Sequence, residues 1–357
     1  MVNKSGAIGG NPPGGMNDYK KAAARKLLLI AGLFLLLTAV FFVDVFTGSS
    51  GMSPSKVLEA VFYPDQVDSM SRVIVWTYRL PIAIMALLVG AALGIAGSQM
   101  QTILNNPLAS PFTLGISAAA GFGASLAIVF GYRYFPQIEN YAVPLAAFVF
   151  AFLSMLLICG IGRAKRGVAE TIILVGVALA FLFNALLSMV QFFSTADELQ
   201  AIVFWLFGSL MQSNWEKIGI LALALAIVAP LIATNAWKLT AMRLGDEKAK
   251  SLGVNAEGLR LSTLAYVSII TALAVCFTGV IGFIGLVAPH IARMAVGEDQ
   301  RFFMPLAGLC GALVLSSASI LCKAIVPGII FPIGIITSLV GIPFFLTMII
   351  GKKQQYW

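Results

Sequence analysis

Long uninterrupted runs of apolar residues are the feature that most constrains how this 357-residue chain can fold. A membrane-spanning helix needs about 20 predominantly apolar residues, and runs of this length recur from residue 27 to residue 350. Only 11% of the residues are charged, whereas soluble globular chains have about 25%. The pattern predicts an all-α polytopic membrane protein embedded in a lipid bilayer. It argues against a soluble enzyme and against nucleic acid as a partner.

Nine of the runs predict spans directly. They cover residues 27–46, 81–104, 108–131, 140–162, 169–193, 215–235, 259–279, 302–323 and 332–350. A tenth segment, 280–297, is apolar but short, and it contains Pro289, His290 and Arg293. Length alone does not decide whether this segment crosses the membrane.

Basic residues decide the question, because they cluster on the cytoplasmic side of membrane proteins. Lys352 and Lys353 lie on the same side as the basic N-terminal tail only if the number of crossings is even. Ten crossings place 17 of the 23 basic residues inside. We therefore expect ten transmembrane helices, with 280–297 as a short irregular one, and both termini in the cytoplasm. The polar, glycine-rich residues 1–25 predict a disordered tail before a membrane domain over 26–357.

The largest charged loop on the predicted cytoplasmic side covers residues 238–258. Asp246 and Glu247 lie where a helix N-terminus favours acidic side chains, and Gly253 is a typical helix stop. These residues predict a short amphipathic helix. Its apolar side chains are those of Leu244, Ala249 and Leu252. Contact with a partner and a solvated connector are equally consistent with this pattern.

A polar stripe runs along the fifth span. Its members are Asn184, Ser188, Gln191 and Thr195, at positions i, i+4, i+7 and i+11. This spacing places them on one face of a helix, and such a face meets either a protein partner or a water-lined path. The stripe predicts a translocation path, with packing against another span as the alternative.

Two other motifs favour structural roles. Asn106 and Pro107 predict a tight cytoplasmic turn between the second and third spans, because proline disfavours helix before it and asparagine caps backbone groups. His290 and Arg293 are ionisable groups at membrane depth, which are often functional. His290 is the only histidine, so packing or hydrogen bonding is favoured over ligation of a metal or haem.

Several chemical signatures are missing from the sequence. No phosphate-binding loop of the G-x-x-x-x-G-K-[ST] type occurs, so ATP is not bound through that motif. The four cysteines lie in apolar runs without a Cys-x-x-Cys spacing, which favours buried thiols over disulfides or a zinc site. We expect no cofactor and no enzymatic activity in this chain.

From about Arg79 to Gly351 the sequence resembles the FecCD-type permeases of bacterial ABC importers, which carry iron–siderophore complexes, haem or cobalamin. The resemblance is carried by segments in the same order along the chain. They are Arg79-Leu80-Pro81, Asn106-Pro107-Leu108-Ala109-Ser110-Pro111, Leu252-Gly253-Val254-Asn255, Gly282 to Arg293 with Pro289-His290, Pro332-Ile333-Gly334-Ile335 and Gly341-Ile342-Pro343-Phe344-Phe345.

The resemblance implies ten spans in two related halves and a second permease subunit, either a second copy or a paralogue. It also implies two cytoplasmic ATPases, an extracytoplasmic binding protein and a location in the bacterial inner membrane. The loop 238–258 corresponds to the segment that couples to the ATPases. Its candidate residues are Arg243, Leu244, Gly245, Asp246, Leu252, Gly253 and Val254. Among them we expect the apolar side chains to be buried against the ATPase and the charged ones to lie at the rim.

The expected function is therefore that of a permease subunit in an ATP-driven importer of a ferric siderophore or similar iron chelate, working by alternating access. Haem and cobalamin are alternative substrates. An ATP-independent secondary transporter belongs to a different class, and it is disfavoured because no pair of carboxylates is recognisable inside the spans.

The sequence departs from the family near its end. Ser319 and Ile330 stand where acidic residues are common in the family, and Lys323 stands in place of an arginine. These changes put an outer-face ion pair in the last two spans in doubt. We expect Lys323 near the outer end of the path, with its ammonium reaching outward to attract an anionic chelate.

Overall fold

A computed structural model of the chain describes residues 16–351, apart from residues 49, 132–138, 166 and 327–328. Fourteen helices form in these residues, and we number them in chain order. They are α1 Met16–Phe46, α2 Pro54–Phe62, α3 Ser69–Ile103, α4 Ile116–Gly131, α5 Glu139–Ala164, α6 Ala169–Phe193, α7 Ala196–Leu206, α8 Trp215–Ala233, α9 Ala236–Met242, α10 Asp246–Ser251, α11 Ala256–Thr278, α12 Ile284–Val296, α13 Gln300–Ala324 and α14 Ile333–Gly351.

The helices reproduce the predicted spans in number and order. Seven of them, α1, α3, α5, α6, α8, α11 and α13, are long and apolar enough to cross a membrane. The other three, α4, α12 and α14, are shorter apolar helices. The predicted all-α polytopic fold is confirmed.

The segment 280–297 is short and irregular, as expected. Its helix, α12, has 13 residues, or about 20 Å of helix, and the residues from Gly279 to Phe283 before it are not helical. Irregular backbone at membrane depth is tolerated where it is buried in protein or lines a cavity. Ser209, in the segment after α7, donates its N–H to the Thr278 carbonyl oxygen at 2.7 Å.

Side-chain contacts bring the predicted cytoplasmic segments together at one end of the helices, which we call the inner end. There Arg243 contacts Asn105 and Glu298, and Arg260 contacts Gly167. The predicted external segments meet at the opposite, outer end. Contacts at that end join Arg79 to Phe46, Lys323 to Asp44 and Trp76 to Trp215.

Close packing of α3 against α13 explains a glycine pattern in the second span. A Cβ atom on Gly90 or Gly94 would overlap the backbone carbonyl oxygens of Gly311 and Ala307. Only glycine lets the two backbones approach this closely. The glycines therefore serve packing within the subunit.

Two helices, α1 and α3, begin more than two turns before their predicted spans. α1 begins at Met16, so residues 16–25 are helical instead of disordered; residues 1–15 lie outside the described residues. Extending an existing helix adds one hydrogen bond for each residue, and this stretch is rich in helix-favouring alanine and lysine. α3 begins at Ser69 because the Asp68 carboxylate caps it, accepting from the Ser71 N–H at 3.0 Å.

The helices α2, α7 and α9 were not predicted at all. They have nine, 11 and seven residues, which is shorter than the apolar runs of about 20 residues used to identify spans.

Candidate functional site

The turn after α3 is a helix cap built by asparagine. Asn105 has a left-handed φ of 44°, and the N–H groups of Asn105 and Asn106 donate to the carbonyl oxygens of Thr102 and Gln101 at 3.3 and 3.1 Å. This is the pattern in which a left-handed residue closes a helix. The predicted tight turn at Asn106 and Pro107 is confirmed.

Three arginines from distant elements bind the C-terminal end of α3. Arg260 donates to the Ile103 carbonyl oxygen at 2.6 Å. Arg243 donates to Asn105 Oδ1 at 3.0 Å, and Arg293 donates to Gln101 Oε1 at 2.8 Å. The last turn of α3 has no basic residue of its own. Because a helix C-terminus has unpaired carbonyls and a partial negative charge, these arginines stabilise the inner end of the second span.

Glu298, in the turn between α12 and α13, joins two of these arginines. The Arg243 Nε donates to Glu298 Oε2 at 2.9 Å, and Arg293 Nε lies 3.2 Å from Glu298 Oε1. The next residue, Asp299, is the N-cap of α13. Hydrogen bonds from Arg301 lower the pKa of the Asp299 carboxyl, which keeps the cap charged. The inner end is thus a connected network of charges, and Arg293, predicted only as a motif residue, belongs to it.

The segment 238–258 contains the predicted short helix, α10, between two glycines. Gly245 and Gly253 have φ values of 93° and 83°, a left-handed region that other residues rarely adopt. Gly253 closes α10, because the next N–H, that of Val254, donates to the Ala249 carbonyl oxygen at 3.0 Å. The predicted helix stop at Gly253 is confirmed.

The apolar side chains of this segment divide into two groups. Leu244 and Leu252 are 55% and 50% exposed, so both are available to a partner. Val254 is 3% exposed and packs in the core of this subunit with Ala249. The expectation that Val254 contacts a partner is therefore wrong. Arg243 was expected at the rim of a partner contact, but its side chain bonds to Glu298 and Asn105 within this subunit.

Arg260 was missed as a functional candidate. It lies in the first turns of α11, is 2% exposed, and forms an ion pair with Asp246 at 2.6 Å. A charged residue inside an otherwise apolar span is energetically costly unless it is paired. The position of Arg260 in such a span could therefore have identified it as a candidate. Asp246, expected at the rim of the segment, is thus paired within the subunit.

A cavity of about 470 Å³ lies beside the polar stripe of α6. Its lining residues are Phe112, Thr113, Ser117, Ala118, Val177, Ala180, Phe181, Asn184, Leu187, Leu206 and Val280. Asn184 therefore contributes an amide to a mostly apolar wall. Ser188, one turn further along α6, is exposed and donates to the Asn184 carbonyl oxygen at 2.9 Å. Gln191 is half-buried on the same helix.

Thr195 does not continue the stripe. α6 ends at Phe193, and Thr195 caps the N-terminus of α7. Its N–H donates to Glu198 Oε2 at 2.8 Å, and its hydroxyl accepts from the Glu198 N–H at 3.4 Å. This reciprocal capping box fixes the backbone in a non-helical conformation, so the helical spacing assumed for Thr195 is wrong.

Lys323 forms a buried ion pair at the outer end. Its Nζ lies 2.7 Å from Oδ1 of Asp44 in α1, and the two side chains are 4% and 0% exposed. The Ser319 hydroxyl donates to the same carboxylate oxygen at 2.9 Å. The ammonium does not reach outward, which corrects that expectation. An ion pair does form at this end, and its acid comes from the first span.

His290 is buried between α12 and α14. It is 7% exposed, and its ring centroid lies 6.3 Å from that of Phe344 in an edge-to-face contact. In the described part of the chain, no three His, Cys, Asp or Glu side chains are close enough to hold a metal ion. The contact supports the favoured packing role for His290.

Comparison with known proteins identifies the family. The FecCD transport family matches residues 35–351. The chain is 36% identical over 336 residues to the Fe(3+)-citrate import system permease protein of Bacillus subtilis, covering 94% of this chain and 98% of that protein. It is 35% identical over 277 residues to the hemin transport system permease protein of Yersinia pestis, covering 78% and 83%.

A solved structure gives the same result. It shows an inward-facing conformation of a transporter described as a metal-chelate type ABC transporter. It matches with a TM-score of 0.77 and 29% sequence identity, and the match covers 91% of this chain and 99% of that chain. This protein, an integral membrane protein, therefore belongs to the FecCD transport family.

Proposed function

We propose that this chain is the transmembrane subunit of an ATP-driven importer that moves a ferric siderophore or similar iron chelate into the cytoplasm. The observation that carries the proposal is the placement of Leu244 and Leu252. These exposed leucines flank a short helix held at the inner end. In a small protein–protein interface, buried apolar anchors supply affinity and the charged residues around them fix the orientation of the partner.

The proposed partners are two cytoplasmic ATPases, a second permease subunit and an extracytoplasmic binding protein. ATP binding closes the ATPases, the segment 238–258 moves with them, and the spans alternate between two accessible states. The second permease subunit is an identical copy or a paralogue. The complex lies in the bacterial inner membrane.

An iron chelate is proposed first because the iron–citrate permease matches 94% of this chain, whereas the hemin permease matches 78%. The test uses the purified complex with its binding protein and a panel of ferric chelates, haem and cobalamin. Stimulation of ATP hydrolysis by the binding protein loaded with a ferric chelate supports the proposal. Stimulation only by binding protein loaded with haem or cobalamin would assign a different substrate, and the chain would still be the permease of an ATP-driven importer.

We propose that the cavity beside α6, which Asn184 lines, is part of the translocation path, and that Ser188 and Gln191, further along α6, also face that path. Neutral amide and hydroxyl groups suit a path that must release a charged chelate. Single cysteines at these positions, in a permease lacking its native cysteines, should react with a membrane-impermeant thiol reagent. The loaded binding protein should change the rate. A cysteine replacing Leu182, an apolar residue of α6 that belongs neither to the stripe nor to the cavity lining, should stay inert. Equal reaction of Leu182→Cys and the stripe variants would show that the stripe only packs against another span.

Both termini are proposed to lie in the cytoplasm. In support of this, the N-terminal part of α1 lies beside the inner end, where Lys26 Nζ is 5.2 Å from the Phe302 ring centroid. Lys352 and Lys353, on which the sequence argument rests, lie outside the described residues. A reporter fused after Trp357 should show cytoplasmic activity. An external signal would require an odd number of crossings and contradict the count of ten.

A further inference from the structure

One buried guanidinium, that of Arg260 at the start of α11, binds three other elements of the inner end. Its Nε donates to the Ile103 carbonyl oxygen at 2.6 Å, and its Nη2 donates to Asp246 Oδ1 at 2.6 Å. Its Nη1 donates to the Gly167 carbonyl oxygen. Each nitrogen of the planar fork therefore binds a different segment, in a geometry that lysine cannot reproduce.

The three segments that Arg260 binds belong to the proposed coupling segment, to the second span and to the approach to the fifth span. Asp246 is the first residue of α10, the helix within the proposed coupling segment. Ile103 is the last residue of α3. Gly167 lies just before α6, the helix that carries Asn184 beside the cavity. One side chain thus joins α10 to the second span and to the base of α6.

The ion pair with Asp246 is a specific link to α10. Among the described residues, it is the only ion pair that joins a residue of α10 to a membrane-spanning helix. The Asp246 side chain is 42% exposed, whereas that of Arg260 is 3% exposed. The carboxylate can therefore move with α10, while the guanidinium remains held by two backbone carbonyls.

We infer that Arg260 is a positioning residue that transmits movement of the coupling segment to α3 and α6 through its ion pair with Asp246. This inference rests on the proposed function, because it assumes that α10 is moved by a partner ATPase. A residue with a merely structural role would stabilise the inner end without affecting how ATP hydrolysis is linked to import.

Asp246→Ala is the first test, because it breaks the link to α10 and leaves both carbonyl bonds of Arg260 in place. Glu247→Ala is the matched control. It removes the same charge from the same helical turn, and the Glu247 side chain is exposed. In the assembled complex, Asp246→Ala should lower the stimulation of ATP hydrolysis by the loaded binding protein at least about fivefold. Asp246→Ala should also lower thermal stability, because it leaves the buried Arg260 guanidinium without its counter-ion. The double variant described next removes that charge as well, and so separates the loss of stability from the loss of coupling.

Arg260→Met and the double variant with Asp246→Ala complete the cycle. If the two residues act as one link, the double variant should be no more uncoupled than Arg260→Met alone, because contacting residues are not additive. Equal coupling in Asp246→Ala and Glu247→Ala would overturn the inference. Loss of coupling in strict proportion to thermal stability would also overturn it.

A distance measurement separates failure of this inference from failure of the proposed function. Spin labels at Lys248 on α10 and at Asn106 after α3 report their separation with and without trapped ATP. In the parent complex the two labels should move together, and in Asp246→Ala the separation should change with nucleotide. An unchanged separation in both would overturn the Arg260 assignment, even if chelate import is normal. Failure of import by the parent complex would count against the proposed function alone.

Discussion

Replacing Lys323 by methionine should lower the free energy of unfolding by about 3–5 kcal/mol, because it leaves a buried carboxylate without its counter-ion. The Asp44 side chain is 0% exposed and already accepts bonds from Lys323 and Ser319 on one oxygen. Its other oxygen, Oδ2, has no hydrogen-bond partner among the described residues. The ammonium is therefore the main group that stabilises this charge.

Thermal unfolding of the purified protein in detergent measures this effect. Arg72→Met is the control, because Arg72 pairs with Asp65 at 2.9 Å while both side chains are 56% or more exposed. Breaking such an exposed pair costs only about 0–1 kcal/mol. Replacing Asp44 and Lys323 together by apolar residues should recover much of the loss, since a buried pair is often replaceable as a unit. Equal unfolding temperatures for Lys323→Met and Arg72→Met would contradict the account.

Leu252→Asp should abolish the link between ATP hydrolysis and import while the permease still inserts. Leu252 is half-exposed at the inner end, and an aspartate there would place a charge in the proposed apolar contact. Loss of an interface anchor costs about 2 kcal/mol or more, so import should fall at least about thirtyfold. Uptake and ATP hydrolysis measured on the same complex test this.

Leu252→Met is the control for that experiment, since a volume-conserving apolar exchange is well tolerated and import should stay near that of the parent. Because the side chain of Leu252 is half-exposed in the isolated subunit, Leu252→Asp should leave thermal stability unchanged. Normal import by Leu252→Asp would refute the assignment of this surface to the ATPase.

The spans could be predicted from the sequence because the thickness of the bilayer sets their length and composition. Turns and helix ends could also be predicted, because Asn106 and Gly253 act through hydrogen bonds between residues that are close in the sequence. Thr195 shows the limit of this approach. Its spacing from Gln191 fits a continuing helix, whereas its spacing from Glu198 fits a capping box, and the structure has the capping box.

Contacts between distant residues could not be predicted in this way. Asp44 and Lys323 are separated by 279 positions, and Arg260 reaches Ile103 across 157. Each residue looked like an isolated charge at a span end, where snorkelling or a solvated loop is the ordinary expectation. Their pairing follows only from how α1, α3, α11 and α13 pack. The same packing explains why Val254, read as an interface residue, lies in the core.

Uptake of a ferric chelate by reconstituted vesicles tests the central claim most directly. The vesicle membrane contains the permease with its partner ATPase. Binding protein loaded with a chelate of radioactive iron is added on the outer side, and ATP is supplied on the side of the ATPase. We predict that iron accumulates inside only with ATP and with the binding protein. An ATPase variant that binds ATP without hydrolysing it should abolish accumulation. Accumulation driven by an ion gradient without ATP would contradict the account and indicate a secondary transporter.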